Sequence, residues 1–329
     1  MKPAENELIN RLRRSAIKAV RKGQIRLGIG DDAALFTPQM GRETVLTCDW
    51  SLEGTHFLRD IHPPDSIGWK CLARAVSDLA AMGATPKCFL LSLALPSSHT
   101  GAWLDGFIRG LRRASRSFHC LLAGGDTTEA KKTLINVTAI GEVPIGGAIR
   151  RSGASPGDFV YVSGQLGEAE LGLQVIRNRK KLMRPTKRAL RTHLYPEPRL
   201  ALGTWLAEHG LATSMMDLSD GLSTDLDRLC AASRVGARID AAKVPVVRAA
   251  PSQVKVTETE LLNLALHGGE DYELLFTVSQ RKAHRIPRAF RGTLLTRVGE
   301  ITHGRRVQLA FPDGRKQPLH AHGWDPFRR

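Results

Sequence analysis

Six short acidic clusters constrain this chain more than any other feature of its sequence. Each lies beside a glycine or at the end of an apolar run: GIGDD (28–32), TCD (47–49), SDLAAMG (77–83), GGDTT (124–128), DLSDG (217–221) and GGEDYE (268–273). Carboxylates that lie close together repel one another, so such clusters usually surround a cation. Because the clusters have no His or Cys partners at zinc-site spacings, they indicate oxygen ligands for Mg²⁺ or Ca²⁺.

The glycines beside these acids indicate a phosphate ligand. A residue without a side chain lets backbone N–H groups approach phosphate oxygens closely. Each cluster also has a plainer interpretation: an Asp–Gly pair is often only a turn, Asp78 fits an exposed helix face, and Ser219 or Asp220 could cap a helix. GIGDDAAL resembles the dinucleotide fingerprint GxGxxA, but Asp31 and Asp32 would then face a pyrophosphate, so we reject that interpretation.

Other catalytic signatures are missing from the sequence. It contains no GxxxxGK[ST] phosphate loop, no HRD and DFG pair, no HExxH and no GxSxG. The net charge is +16, which would suit a nucleic-acid partner. The basic residues are nevertheless spread along the whole chain without a block of five or six, which favours a solvated basic surface and no nucleic-acid partner.

Cysteine usage and hydropathy predict a reduced, cytoplasmic compartment. No apolar run is long enough to span a bilayer, and the first 20 residues lack the apolar stretch of a secretory signal, so we expect no membrane partner. The five cysteines are odd in number, scattered and without a CxxC pair, which argues against a disulfide framework: Cys48, Cys71, Cys88, Cys120 and Cys230.

Strand-like and helical patterns alternate along the chain and predict an α/β (α+β) protein. We expect strands at 44–49 and 87–95 with a helix at 65–82 between them, and Asp65 as its N-cap. In the second half we expect a strand at 159–163, a helix at 168–177 and a helix that opens at Ser219. The last strand that the apolar pattern indicates clearly is at 273–278.

The segment 144–158 is rich in Gly, Pro and Ser, and we place a domain boundary there. The sequence thus predicts two domains, residues 1–148 and residues 149–329.

Seven motifs in order give the chain a specific resemblance. GIGDDAALF, TCDWSLEGTHF, SDLAAMGATP, GGDTT, RSGASPGD, DLSDGLSTDL and GGEDYELLF resemble the thiamine-monophosphate kinase family, from about Gly28 to Phe276, with a weaker match at 323–327. The resemblance implies the two-domain aminoimidazole ribonucleotide synthetase-like fold. It also implies that residues 1–148 bind ATP and magnesium and pair in a homodimer, with ATP in a cleft at that interface. Residues 149–329 would then form an α/β domain that completes the site.

The same resemblance implies a set of site residues. The implied magnesium ligands are Asp32, Thr47, Cys48, Asp49, Asp78, Asp126, Asp217 and Asp220. The implied ATP contacts are Gly125, Asp126, Arg151 and Ser219. The implied contacts to thiamine monophosphate are His56, Glu270 and Trp324. Cys48 stands where the family usually has Thr, so a ligand atom there would be a backbone carbonyl rather than a side-chain oxygen.

The activity implied is a Mg²⁺-dependent transfer of the ATP γ-phosphoryl group to thiamine monophosphate. A phosphate monoester is largely dianionic at pH 7, so the acceptor needs no general base. Trp324 could attract the thiazolium ring through a cation–π contact, and Glu270 could pair with that cation or bond the pyrimidine. The alternatives are a selenophosphate or aminoimidazole ribonucleotide synthetase-like enzyme of the same superfamily, or a basic nucleic-acid-binding protein.

Overall fold

The computed structural model describes residues 5–15, 24–29, 31–177, 187–247 and 257–327. The chain divides into two compact units: Met1–Leu79 with Ala84–Gly146 (unit 1), and Ala80–Gly83 with Gly147–Arg329 (unit 2). The assignment of domains 1–148 and 149–329 stays a prediction. Within the described residues, no helix is long and apolar enough to cross a membrane.

Unit 1 contains a four-stranded sheet and a separate pair of short strands. Its strands are β1 (Ile25–Leu27), β2 (Leu35–Phe36), β3 (Arg42–Leu52), β4 (Thr85–Leu95), β5 (Leu121–Glu129) and β6 (Leu134–Pro144). Its helices are α1 (Glu5–Ser15), α2 (Pro64–Ala81, in this unit up to Leu79) and α3 (Ala102–Ser117). The sheet order is β3-β6-β4-β5, in which only β4 and β5 run parallel, and β1 pairs with β2 separately.

The two faces of this sheet differ in burial. On one face, Gly141 of β6 lies against the Leu79 side chain of α2, and α3 packs closely on α2, since a Cβ at Gly110 would lie 1.7 Å from the carbonyl oxygen of Asp65. On the other face, Leu46, Trp50 and Leu90 are 67%, 52% and 37% exposed. We call this second side the open face of unit 1.

The predicted role of Asp65 as an N-cap is wrong. Helix α2 begins at Pro64, so Asp65 lies inside its first turn. Proline suits the first helical position because its missing N–H would have no partner there, and an acid in the first turn is favoured by the helix dipole. Arg113 of α3 contacts the Asp65 carboxylate at 3.4 Å.

Unit 2 contains a larger sheet. Its strands are β7 (Phe159–Ser163), β8 (Ala212–Leu218), β9 (Gly236–Asp240), β10 (Glu273–Val278), β11 (Ala289–Phe290), β12 (Thr293–Thr302), β13 (Val307–Ala310) and β14 (Lys316–Pro318). Its helices are α4 (Glu168–Arg177), α5 (Lys187–Leu194), α6 (Leu200–Glu208), α7 (Leu222–Ser233) and α8 (Glu258–His267). The order is β14-β13-β9-β12-β7-β10-β8, with β11 paired to β12.

Both faces of this sheet are buried. In β7, Val160 and Val162 belong to a core that includes residues of α7, whereas Tyr161 belongs to a second core that includes residues of α6. In β10, Leu275 joins the first core and Phe276 the second. Because alternate residues of a strand point to opposite faces, these strands need a continuous apolar run, which is what the sequence shows.

One expectation for the second half is wrong. The helix expected to open at Ser219 begins at Leu222, after a turn that ends at Gly221, where φ is +105°. The strand expected at 273–278 is present, and four strands that the pattern did not indicate follow it. These later strands are short or have an apolar run that polar residues interrupt, so their apolar signal is weak.

Candidate active site

The first group of predicted ligands lies on the helix-covered face of unit 1. Thr47 and Asp49 lie two residues apart on β3, so their side chains point to the same face, towards α2. The Thr47 hydroxyl donates to Asp78 Oδ2, and the Arg74 guanidinium lies 3.7 Å from Asp49 Oδ1. Arg74 and Asp78 are one helical turn apart on α2, which explains why both reach this strand.

Cys48 lies between those two residues on β3, so its side chain points to the open face. Its sulfur contacts the Asn136 side chain, whose Nδ2 donates to Sγ at 3.0 Å. The structure therefore does not bring the Cys48 thiol together with Thr47 and Asp49. A ligand atom from Cys48 on their side of the strand would have to come from its backbone.

A second group of predicted residues lines a cavity of about 910 Å³ in unit 1. Asp32, Gly125 and Asp126 all contribute to its wall, together with Asp31 and Ser92. Gly125 is needed here for space, since a Cβ at this position would lie 1.9 Å from the carbonyl oxygen of Leu91. The two glycines of the GGD segment in β5 also leave its backbone accessible to a ligand.

Asp49 and Asp126 belong to separate groups in this structure. Asp49 lies on β3 and Asp126 on β5, three strand spacings away, or about 14 Å in a flat sheet. Across the described parts of the chain, no three His, Cys, Asp or Glu side chains converge closely enough to hold a metal ion. The chemistry of the predicted set still fits magnesium, because it offers carboxylate and hydroxyl oxygens.

The predicted substrate contact His56 has a defined tautomer. It follows β3, and its Nδ1 accepts the backbone N–H of Leu52 at 3.1 Å. In the neutral ring the proton is therefore on Nε2, which makes Nε2 a donor. A donor is the type of group required to bind the oxygen of a phosphate.

In unit 2 the DLSDG motif forms a turn between β8 and α7. Asp217 is 3% exposed near the end of β8, and Ser219 and Asp220 follow it in the turn. The backbone N–H groups of both turn residues donate to the carboxylate of Asp225, at 3.1 and 3.0 Å. Asp225 thus fixes the turn from inside the first turn of α7.

Asp225 and Asp220 share a cation within this turn. Arg228 donates to Asp220 Oδ2 and, at 3.1 Å, to Asp225 Oδ1. Burial, together with the neighbouring charge of Asp220, raises the pKa of Asp225 to about 7. The guanidinium offsets part of the repulsion between the two carboxylates.

The predicted substrate contacts of unit 2 are attached to the same turn. The Glu270 N–H donates to the carbonyl of Ser219 at 2.8 Å, and the Trp324 N–H donates to the carbonyl of Asp220 at 3.0 Å. Glu270 has a positive φ of 67°, which is uncommon for a residue with a side chain. The structure therefore brings together five predicted residues at this turn: Asp217, Ser219, Asp220, Glu270 and Trp324.

Arg151 lies apart from this group. Its carbonyl accepts the hydroxyl of Ser233, the last residue of α7, at 3.0 Å. Helix α7 has 12 residues, or a length of about 18 Å, and Ser219 precedes its other end. Arg151 and Ser219 are the predicted ATP contacts that lie in unit 2, and the structure of that unit does not bring them together.

Sequence reasoning missed four residues that contact predicted site residues. Asp225 lies in the DLSDGLSTDL motif and Arg228 follows three residues later, so the helical spacing from the turn could have indicated both. Arg74 precedes Asp78 by four residues, which is one helical turn on the predicted helix. His193 faces Glu270 across 3.4 Å, and no motif contains it.

The class of protein follows from comparison with known families. Residues 30–143 match the family described as AIR synthase related protein, N-terminal domain, and residues 155–311 match its C-terminal domain. Together these matches cover most of the chain and place it among the AIR synthase related proteins. The predicted fold, with two α/β domains of this type, is confirmed.

Close relatives specify the family further. The thiamine-monophosphate kinase of Escherichia coli K12 is 38% identical over 307 residues, 92% of each chain. The crystal structure of thiamine-monophosphate kinase from Stenotrophomonas maltophilia has a TM-score of 0.80 at 37% identity, covering 94% of this chain and 97% of that one. The chain belongs to the thiamine-monophosphate kinase family, as the ordered motifs predicted.

A third relative was solved with ligands. AaThiL complexed with AMPPCP and TMP has a TM-score of 0.75 at 31% identity, and the match covers 98% of this chain and 97% of that chain.

Proposed function

We propose that this chain is a Mg²⁺-dependent kinase that transfers the γ-phosphoryl group of ATP to thiamine monophosphate, giving thiamine diphosphate and ADP. One observation carries the proposal: in a chain of this family, a single turn of unit 2 holds the predicted metal ligand Asp220 and both Glu270 and Trp324. The ligands of the related AaThiL structure, AMPPCP and TMP, correspond to an ATP analogue and the proposed acceptor.

The proposed magnesium ligands are the predicted oxygen donors. They are Asp32, Thr47, Asp49, Asp78, Asp126, Asp217 and Asp220, with a backbone oxygen from Cys48. Magnesium bound there would neutralise the charge of the two phosphate-bearing substrates. Arg74 and Arg228 contact two of these carboxylates, those of Asp49 and Asp220, and contribute positive charge there.

The chain's own residues bind and orient the substrates. Gly125 presents backbone to the ATP phosphates without a side chain in the way, and Asp126, Arg151 and Ser219 complete the ATP contacts. The His56 Nε2–H donates to the acceptor phosphate. Trp324 is 48% exposed, so its ring face can contact the thiazolium, for roughly 0.5–2 kcal/mol.

Transfer is proposed to be direct and in line. The acceptor phosphate is mostly dianionic near pH 7, so it attacks the γ-phosphorus without prior deprotonation, and ADP leaves with the electrons of the broken P–O bond. No protein nucleophile is required. The rate enhancement would come from positioning and charge neutralisation.

The active form is proposed to be a cytoplasmic homodimer that pairs through the open face of unit 1. Leu46, Trp50 and Leu90 are large apolar side chains exposed on that face, which is typical of an interaction surface. Ser92 and Asp126 occupy one register position of adjacent strands, and both line the cavity described above. A second copy on this face would lie beside that cavity, which supports an ATP cleft at the interface.

The experiment is an ADP-release assay with Mg-ATP and a panel of acceptors. The panel contains thiamine, thiamine monophosphate, selenide and formylglycinamidine ribonucleotide. We expect turnover with thiamine monophosphate, formation of thiamine diphosphate, and little or no reaction of thiamine, which lacks the nucleophilic phosphate. If another acceptor is turned over and thiamine monophosphate is inert, the proposed acceptor is wrong, and only the fold and family assignments remain valid.

A further inference from the structure

Glu270 is held in place from two directions. Its backbone has a φ of 67°, a conformation that is unfavourable for a residue with a Cβ and is kept only where the surroundings impose it. The hydrogen bond from its N–H to Ser219 is one such constraint. The second comes from α5, where Nδ1 of His193 lies 3.4 Å from Oε2 of Glu270.

His193 is itself rigidly placed. Its side chain is 1% exposed. Helices α4 and α5 approach closely at Gly172, where an added Cβ would lie 2.8 Å from the Cβ of His193 and 2.2 Å from the carbonyl oxygen of Ala189. The imidazole therefore has little room to change position, and the carboxylate that faces it has a defined orientation.

The choice of a histidine at this position has a consequence for charge. Other glutamates of unit 2 lie against arginines: for example, Glu168 contacts Arg188 at 2.8 Å, and Glu273 is paired with Arg199. A guanidinium is always charged and cancels the charge of its carboxylate, whereas a neutral imidazole still donates one N–H. An imidazole can thus orient a carboxylate and leave its negative charge available to a cationic ligand.

We propose that His193 is a positioning residue for substrate recognition: its Nδ1, 3.4 Å from Oε2, orients the Glu270 carboxylate for contact with the cationic or amine group of the acceptor. This inference rests on the proposed function, since it assumes that Glu270 contacts the acceptor. It assigns no role to His193 in ATP binding or in the chemical step. The acceptor KM should therefore respond to changes at His193, and kcat and the KM for ATP should not.

The test uses His193→Ala, which removes the donor, and His193→Asn, whose Nδ2 lies near the original Nδ1. In the full-length protein with thiamine monophosphate, we expect His193→Ala to raise the acceptor KM about tenfold, because one polar contact to a charged group is lost. kcat and the KM for ATP should stay within about twofold of wild type, and His193→Asn should recover most of the loss. Isothermal titration with thiamine monophosphate alone should show the same order of affinities.

Two controls separate positioning from stability. Thr192→Ala, the neighbouring position of α5, removes a hydrogen bond to Glu168 and should leave the acceptor KM unchanged. In a Glu270→Gln background, His193→Ala should add little, because the charge that it orients is already gone. The inference would be overturned if His193→Ala and His193→Asn raised the acceptor KM equally. It would also be overturned if the effects of His193→Ala and Glu270→Gln on that KM were additive, or if the KM for ATP rose in parallel. If wild type failed to use thiamine monophosphate, the proposed function itself would fail.

Discussion

The backbone N–H of Trp324 donates to the carbonyl oxygen of Asp220 at 3.0 Å. This bond ties the predicted aromatic contact for the acceptor to a predicted ligand of the metal. Beside it, the N–H of Gly323 donates to the Thr224 hydroxyl at 2.9 Å. The C-terminal segment is thus attached to the turn that precedes α7, and the position of the Trp324 ring depends on that attachment.

Gly323→Ala should disturb this attachment. A Cβ at residue 323 would lie 1.9 Å from the carbonyl oxygen of Asp220, so the segment would have to move away. We expect Gly323→Ala to raise the KM for thiamine monophosphate at least as much as Trp324→Ala, for which loss of a cation–π contact predicts roughly 2- to 30-fold. Steady-state kinetics measure both, and Gly314→Ala, which has open space around it, serves as the control. An unchanged KM for Gly323→Ala would show that the segment tolerates displacement.

Removing single carboxylates tests the proposed metal ligands. Asp49→Asn and Asp126→Asn keep the shape of the side chain but lose its charge, so each should lower kcat on the order of 100-fold at saturating ATP. EDTA should abolish turnover of the wild type. Asp313→Asn, which alters an exposed acid paired with Arg315, should leave both kcat and the magnesium requirement unchanged. Near-normal turnover of either variant with unchanged metal binding would remove that residue from the ligand set.

Direct transfer predicts that no phosphoenzyme forms. The acceptor phosphate is its own nucleophile, so incubation with γ-labelled ATP and magnesium in the absence of acceptor should leave the denatured protein unlabelled. Acid quenching followed by filter binding measures the label. Stoichiometric labelling that disappears into product when thiamine monophosphate is added would instead establish a covalent intermediate.

Local patterns predicted the central elements of unit 2 well. Strands β7 and β10 and helix α4 have the expected bounds, because each is a compact apolar or amphipathic run. Strand β12 was not predicted, although it pairs with β7. Its Gly299 sits at a register shift against Val160, and Arg297 and Glu300 interrupt the apolar pattern.

The motifs could likewise indicate the turn at Asp217–Asp220 but not everything around it. Asp220 and Glu270 both lie in recognisable acidic clusters, so they could be proposed from the sequence. His193 lies on a helix without a motif and meets Glu270 only because α5 packs against the rest of unit 2. Such a contact depends on tertiary packing, and no local pattern encodes it.

Asp271 should make stability depend on pH. Burial raises its pKa to about 8, despite hydrogen bonds from the N–H groups of Gly167 and Ala169 that act in the opposite direction. The native carboxyl thus keeps its proton up to about pH 8. In the unfolded chain the pKa of an aspartate is about 3.9. Between these values the native state binds more protons, so the contribution of Asp271 to the free energy of unfolding falls as pH rises.

Asp271→Asn removes this ionisation, so the variant should lose less stability than wild type as pH rises. Thermal unfolding at intervals from about pH 5 to pH 8.5 measures the two slopes. The variant has one acceptor oxygen for two N–H donors and should be less stable at every pH, so the slope is the informative quantity. Asp313→Asn should follow the wild-type slope, because hydrogen bonds from Arg315 lower the pKa of Asp313 and its titration lies below this range. Parallel curves for wild type and Asp271→Asn would show that Asp271 is ionised in the native state.

The open face of unit 1 predicts the oligomeric state. Leu46 is 67% exposed at the centre of β3, in a position where a stable dimer would bury it. Leu46→Arg places a charge in that contact and should convert the wild-type dimer to a monomer, which light scattering after size exclusion measures directly. Met40→Arg is the matched control, because Met40 is 96% exposed but lies in the turn before β3, outside the sheet.

Since the cavity with Asp32 and Asp126 adjoins this face, Leu46→Arg should also weaken ATP turnover. A wild-type protein that is monomeric at micromolar concentration, or a Leu46→Arg variant that stays dimeric, would contradict pairing through this face.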